Sequence, residues 1–387
     1  MLEHSPPLPL VIDYPDNNRY ITVEDEEGIM LALGQRDRVR RIRFVDMPLL
    51  KLQKFIMKMD EEYPVLEYLI MESLEKECTA LMFPDTLRAP HLRQLALLSF
   101  AIPMVSRFLK TAVGIVTLSL VMTDPSSHFQ YEWILSMPQL ESLMIFFLSP
   151  VSNGDVEGHV MRTPITTHVT LPNLRTFIFR GVSAYLEAVV HRITTPRLEK
   201  LIIDLFEQLT FSVPHLIQFM NTTENLRFDS FEIGFFMDKV HVRVYCEEDE
   251  TYALSISVIC SHFDWQVSFV PQFFNSRSQI SPAVEKLALY YEVHEWSYEE
   301  HNQVDRAEWH KLLESFNNVK TLHVDNGLVK ELSRSLRQND GELPPELLPK
   351  LQELTYSWSD DTGDDVFTSF IDARQSAGHP VTLMRHE

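Results

Sequence analysis

Three groups of side chains in this 387-residue chain are of types that do chemistry. His294, Glu295, Glu299, Glu300, His301 and His310 are imidazoles and carboxylates, which ligate divalent metals. Metal sites need such ligands at a defined spacing, and this set matches none, so a solvated loop is expected. Asp360, Asp361, Asp364 and Asp365 surround Gly363 and offer hard oxygen ligands to calcium. They lack the order of an EF-hand loop, so they are read as capping the last helix and favouring its positive end. Arg36, Arg38, Arg40, Arg41 and Arg43 crowd one short run, as in a phosphate patch or a nuclear-import signal. The surrounding acids make a solvated, locally neutralised edge the expected reading. The chain has no Gly-x-Ser-x-Gly, P-loop, dinucleotide fingerprint or His-Glu-x-x-His. No catalytic residue, cofactor or metal is expected, and no enzyme.

Composition narrows the partners. The formal net charge is −21 and the pI is near 5.1. Basic surfaces attract nucleic acid and anionic membranes, so neither is an expected partner. Hydrophobic residues make up 45% of the chain, ample for a large core. No apolar run approaches the ~18 residues of a membrane span. The first ten residues lack the charged and apolar regions of a signal peptide. Cys78, Cys246 and Cys260 cannot all pair with one another, which fits a reducing compartment, although Cys246 and Cys260 are placed to face each other across a hairpin. A cytoplasmic or nuclear location is expected.

The elements that must position everything else come from one repeated phrase. Pro196-x-Leu198-x-x-Leu201-x-Ile203 has the same pattern as Pro64 to Met71, Pro90 to Leu97, Pro138 to Ile145, Pro172 to Phe179, Pro282 to Leu289 and Pro349 to Tyr356. Copies without the proline are Val39/Ile42/Phe44, Ile115/Leu118/Leu120, Phe228/Phe231/Ile233 and Val319/Leu322/Val324. These eleven copies of Leu-x-x-Leu-x-Leu are the core of a leucine-rich repeat. A proline cannot continue a helix and holds its predecessor extended, so each is read as ending a helix or loop and launching a strand. The last two apolar positions lie two apart and so share the inward face of that strand. Starts at 39, 66, 92, 115 and 140 give steps of 27, 26, 23 and 25 residues, within the usual range. Later starts at 174, 198, 228, 284, 319 and 351 are irregular, with one step of 56 from 228 to 284. The expected fold is α/β, a degenerate leucine-rich-repeat solenoid with a curved parallel sheet inside and helices outside, one domain over 1–387.

Between the phrases, helical spacing predicts helices. They fall at 24–33, over Leu49 to Met59, around Val105 to Leu109, over Tyr185 to Ile193 with Ser183 as N-cap, and over Trp309 to Phe316 with Asp305 as N-cap. Two more fall at 327–337 and 365–376, the last closing at Gly378. Leu10, Val11 and Ile12 suggest a short strand. In the long step, Val240, Val242 and Val244 alternate, an acidic turn follows, and Leu254, Ile256 and Val258 alternate. This predicts an inserted β-hairpin at 238–262. Well-formed leucine-rich repeats carry Asn or Cys three residues after the last apolar position. Here those sites are Met47, Leu74, Phe100, Thr123, Leu148, Val182, Phe206, Phe236, Glu292, Gly327 and Ser359. The turns must therefore be built differently, or helices follow the strands.

The Pro-x-Leu-x-x-Leu phrases are joined by Cys260-Ser-His-Phe-Asp264-Trp265-Gln-Val267, Val284-Glu-Lys-Leu287, Phe316-Asn-Asn-Val319-Lys-Thr-Leu322 and Leu348-Pro-Lys-Leu351-Gln-Glu-Leu354. Over nearly its whole length this order is similar to the C-terminal regions of fungal F-box-like proteins, leucine-rich-repeat families of mushroom-forming species. The resemblance implies substrate recognition in an SCF-type ubiquitin ligase. In such a protein the F-box docks the adaptor and the repeats hold the target. No F-box fits ahead of the first helix, so an SCF adaptor is expected only if an F-box is missing from this sequence. The expected function is that of a protein-binding module with an unknown protein target; a stand-alone scaffold or a non-functional relic is the alternative, and after it an unrecognised enzyme.

The residue between the last two apolar positions of each phrase points away from the core. That row reads Arg43, Ile70, Ala96, Ser119, Met144, Ile178, Ile202, Glu232, Ala288, His323 and Thr355. Its apolar members Ile70, Met144, Ile178 and Ile202, rimmed by Phe146, Arg180 and Asp204 two residues further on, are the expected concave binding face.

Overall fold

The structure is a computed structural model. It describes residues 8–14, 21–74, 84, 86–98, 107–122, 137–148, 168–206, 213–223, 225–226, 229–245, 252–274, 284–292, 304–336, 347–357 and 366–386. His294 to His301, the aspartates 360–365, Cys78, Cys246, Phe228 and Pro282 lie outside these residues. The chain divides into two compact units, 1–199 and 200–387. Both are α/β, with a mostly parallel sheet and helices.

In the first unit the elements are β1 (Leu10–Tyr14), α1 (Val23–Leu33), β2 (Val39–Met47), α2 (Leu49–Lys58), β3 (Tyr68–Ser73), β4 (Gln94–Leu98), α3 (Arg107–Thr111), β5 (Thr117–Met122), β6 (Ser142–Phe147), β7 (Val169–Thr170), β8 (Thr176–Gly181), α4 (Ser183–Val190) and β9 (Ile193–Thr194). Strands β1 to β6 and then β8 pair side by side, all parallel. Short β7 and β9 pair with each other. Inward residues stack in register: Ile42, Leu69, Leu95, Leu118, Leu143 and Phe177 form one row, all fully buried. Phe44, Met71, Leu97, Leu120, Ile145 and Phe179 form the next. The helices pack on this side, for Phe55 of α2 meets Phe44 at 5.2 Å and Tyr185 of α4 stacks on Phe147 at 5.0 Å.

Local chemistry sets the helix ends. Thr22 and Asp25 form a reciprocal capping box on α1. Ser183 is the first residue of α4 rather than its cap; Val182 holds the cap position and offers no side-chain hydrogen bond. The arginines of β2 do not line an edge, because β1 pairs outside that strand. Arg36 meets Asp60 at 3.2 Å and also Glu61, Arg40 meets Glu67 at 2.9 Å, and Arg43 meets Asp13 at 3.5 Å. Acids on neighbouring segments thus pair three of the five arginines, while Arg38 donates to the Leu8 carbonyl at 3.2 Å and Arg41 lies over Tyr68.

The second unit holds β10 (Lys200–Leu205), α5 (Pro214–Thr222), β11 (Ser230–Phe236), β12 (Lys239–Tyr245), β13 (Tyr252–Ile259), α6 (Phe263–Phe273), β14 (Lys286–Glu292), α7 (Arg306–Glu314), β15 (Thr321–Val324), α8 (Asn326–Leu336), β16 (Glu353–Ser357), α9 (Thr368–Ser376) and β17 (Thr382–His386). The strand order is β10-β13-β12-β11-β14-β15-β16-β17. The alternating valine and isoleucine runs form β12 and β13, which pair antiparallel. β11 joins β12 antiparallel on its other side, so the interruption is a three-stranded meander. β13 pairs parallel with β10, and β11 pairs parallel with β14. Among the described strands only β12 runs against the rest. Leu201, Leu254, Val242, Ile233, Leu289, Val324 and Leu354 are fully buried on the inward side. Trp309 of α7 covers Phe235 there at 5.9 Å. Asp305 caps α7 through the amide of Ala307 at 3.1 Å, and Gly378 takes φ +86° just past α9.

Both units enter their strands in the same way. The amide of each first apolar residue donates to the carbonyl three residues back: Leu66 to Tyr63, Leu92 to Ala89, Leu140 to Met137, Leu174 to Leu171, Leu198 to Thr195 and Leu351 to Leu348. The proline sits second in that four-residue turn, where its fixed φ is already correct. It shapes the turn ahead of the strand rather than launching the strand itself. One residue further on, a carbonyl accepts from two amides of the next repeat. Glu67 accepts from Arg93 and Gln94 at 2.9 and 3.0 Å, and Glu285 accepts from Lys320 and Thr321 at 2.7 and 3.1 Å. This forked backbone ladder stitches the repeats together at their entry side, without help from the Asn or Cys sites.

Candidate binding surfaces

The helices cover one side of each sheet. On the other side the side chains are mostly half-buried, so alternation along the strand separates a packed face from an open one. In the first unit the central open row is Asp13, Arg43, Ile70, Ala96, Ser119, Met144 and Ile178, in register across seven strands. The next row is Glu72, Leu98, Val121, Phe146 and Arg180. Ile70, Leu98, Val121, Met144, Phe146 and Ile178 thus form a contiguous apolar field. Ser119 donates to the sulfur of Met144 at 3.2 Å, which ties down its centre. On the third row, Arg41 lies 4.2 Å over the ring of Tyr68, beside Gln94, Thr117, Ser142 and Thr176. The field is rimmed by polar and charged groups.

Ile202 and Asp204 fall in the second unit, on β10, and their surroundings differ. There the open face carries a groove of about 670 Å³ lined by residues of β10 to β14 together with Asp325. Its floor is one register row: Asp204, Ser257, His241, Gly234 and Tyr290. One wall is the ion pair of Arg243 with Glu232 at 2.9 Å, the guanidinium also lying 4.9 Å over Tyr252. The other wall is Phe236, with the ammonium of Lys239 at 5.1 Å over its ring. Gly234 makes room for the Phe236 ring, which lies down over it: a Cβ there would come within 2.8 Å of the ring, which would have to turn outward.

The middle of the floor and its β14 end differ in their electrostatics. Burial, with Arg243 and Lys239 adding to it, pulls the His241 imidazole down to about 4, so it is neutral near pH 7. Its Nε2 shares a 2.8 Å hydrogen bond with Ser255 Oγ. At the β14 end, burial first and then the charge of Glu232 raise the Tyr290 phenol. Asp325 accepts from the Tyr291 amide there at 3.4 Å. Among the described residues neither Asp204 nor Glu292 has an ion-pair or hydrogen-bond partner.

The sequence marked Ile202, Asp204, Glu232, Ala288, His323 and Thr355 as outward. It did not single out Ser255, His241, Gly234, Phe236 or Tyr290 as a set, because only strand order brings them together. The heavy alternation of β12, with Lys239, His241 and Arg243 between valines, was the available signal. Of the proposed metal ligands only His310 is described, and it sits 2.8 Å from the Ser335 carbonyl. No cluster of three or more His, Cys, Asp or Glu placed to hold a metal occurs among the described residues. Cys260 is buried, and its thiol donates to the His262 carbonyl at 3.5 Å. Among the described residues no helix is long and apolar enough to cross a membrane. No protein-family model matches the chain, and no curated protein matches it in sequence.

Proposed function

We propose that this chain is a protein-recognition module, a degenerate leucine-rich-repeat array whose open sheet face receives a protein partner. The observation that carries the reading is the one-sided sheet. Parallel sheets are ordinarily covered on both faces. Here, among the described residues, helices pack on one, and the other presents Ile70, Met144 and Ile178 in one register row with Phe146 beside them and a charged rim. A contiguous apolar patch of this kind is a common mark of a partner site. The shared entry turn and forked ladder support the repeat reading, since each unit is stitched to its neighbour in the same way. Substrate recognition for a ubiquitin ligase, from a cytoplasmic or nuclear chain, is the form this takes if the resemblance to F-box-like proteins holds.

The test is capture from native extract by the full chain, with Ile178→Asp and Met144→Asp in parallel. Both changes add a charge to the open face without touching the packed one. The reading expects a defined set of proteins to be lost with either variant while the unfolding midpoint barely moves.

One observation favours a second reading. Ser255 and His241 stand at hydrogen-bond distance in a polar groove, as a nucleophile and base would. A hydrolase would also need a group orienting the other ring nitrogen, and among the described residues His241 Nδ1 makes no hydrogen bond. Labelling by a fluorophosphonate, lost in Ser255→Ala, would favour the hydrolase; absence of labelling leaves recognition in place.

A further inference from the structure

We infer that the groove on the second unit holds an extended peptide segment carrying basic side chains at both of its ends. The inference rests on the recognition reading and names the chemistry of the partner at this one place. The cations in the groove are already engaged: Arg243 pairs with Glu232 and lies over Tyr252, and Lys239 lies over Phe236. His241 is neutral near pH 7. The acids at the two ends are not engaged. Asp204 stands at the β10 end without a partner among the described residues. At the β14 end stand Glu292, also without one, and Asp325, whose carboxylate has taken up a single amide. The walls therefore carry the single unbalanced charge of Lys239, against the carboxylates of Asp204, Glu292 and Asp325 at the ends, so the cavity is net negative; a neutral or anionic occupant would leave the end carboxylates without a counter-charge.

Shape then selects the class of cation. The lining runs across five strands, from Asp204 on β10 to Tyr290 and Glu292 on β14, so an occupant that reaches both ends lies transverse to the sheet. β10 and β14 are separated by four strand spacings, roughly 19 Å. An extended chain covers that in about six residues. The β14 end adds Tyr290, whose ring suits a guanidinium as well as an ammonium. The same face already holds two cations over aromatic rings.

The test is fluorescence anisotropy of labelled Gly/Ser octapeptides with the full chain at moderate ionic strength. One peptide carries two arginines six residues apart, one carries citrulline at both places, one glutamate at both, and one has the arginines adjacent. The spaced arginine peptide is expected to bind at least fivefold tighter than each of the others. Asp204→Asn and Glu292→Gln, which keep side-chain shape, are expected to remove most of that advantage together. Nonspecific attraction to a chain of net charge −21 would scarcely change on losing two acids, so it is separated from the groove. Ile178→Asp is expected to leave peptide binding intact; failure of the partner-capture test alone therefore does not touch this result. Equal binding of the citrulline or adjacent-arginine peptide, preference for glutamate, or indifference to the double variant would each overturn the proposal.

Discussion

The two units use one strand-entry device and one packed face, yet their open faces are opposites. The first unit shows an apolar field, Ile70 to Ile178, with charge only at its margins. The second shows a polar trough with Phe236, His241, the Arg243–Glu232 pair and Lys239 over the Phe236 ring. The difference traces to the meander. Regular repeats place one outward side chain per strand in each register row, and Ile70, Ala96, Met144 and Ile178 around Ser119 make that row mostly apolar. The meander inserts β12 and β13 between β10 and β11, and β12 alternates Lys, His and Arg on its open side. The inward alternation of valines is unchanged. A repeat array can therefore change its surface chemistry locally while keeping its core.

The largest expected effect contrasts the two sides of one strand. Phe177→Ala on β8 should cost about 3–5 kcal/mol, the range for emptying a fully packed aromatic site, while Ile178→Ala next to it should cost under about 1 kcal/mol. Urea unfolding of the two variants measures both; similar losses would mean the open face is packed after all. In the second unit Leu201→Ala should cost about 2–5 kcal/mol. A loss well below 1 kcal/mol there would place Leu201 outside the core.

Two glycines sharpen the comparison at smaller scale. At Gly181 an added Cβ would come within 2.7 Å of the Phe147 ring, which is buried and cannot swing away. Gly181→Ala should therefore cost about 1–3 kcal/mol, as overpacking does. Gly234 faces the half-buried Phe236, which can rotate outward. Gly234→Ala should cost less than Gly181→Ala in the same denaturation series, and the groove, not the core, should change.

The smallest effect is the pH response of the groove. His241 holds its proton only below about 4, against an ordinary 6.5. Between those values the unfolded chain binds the extra proton, so acidification through this window lowers stability; above 6.5 the contribution is complete. His241→Gln should flatten that part of the pH–stability curve. An imidazole titrating near 6.5 by NMR would show that the ring is solvated.

Much of this fold was legible because its signals are local. Leucine spacing fixed which residues turn inward, and the row between them is in register across the strands of the first unit. Alternation at Val240 to Val258 marked the meander strands. What spacing cannot carry is lateral order: nothing in Leu198 or Phe231 tells that β13, not β11, lies next to β10. The His241–Ser255 contact and the trough follow from that order, so they were invisible. Turn geometry was half visible. The prolines were recognised as punctuation, but their place inside a four-residue turn depends on hydrogen bonds that a one-residue shift would break.

The account's central claim is that the open face of the first unit recognises a partner and the packed face holds the fold. Ile178→Asp, measured for both partner capture and thermal unfolding midpoint, tests it most directly. The account expects capture to be abolished with the midpoint nearly unchanged. Equal loss of both would make Ile178 structural, and full capture by a stable variant would mean that this face does not bind.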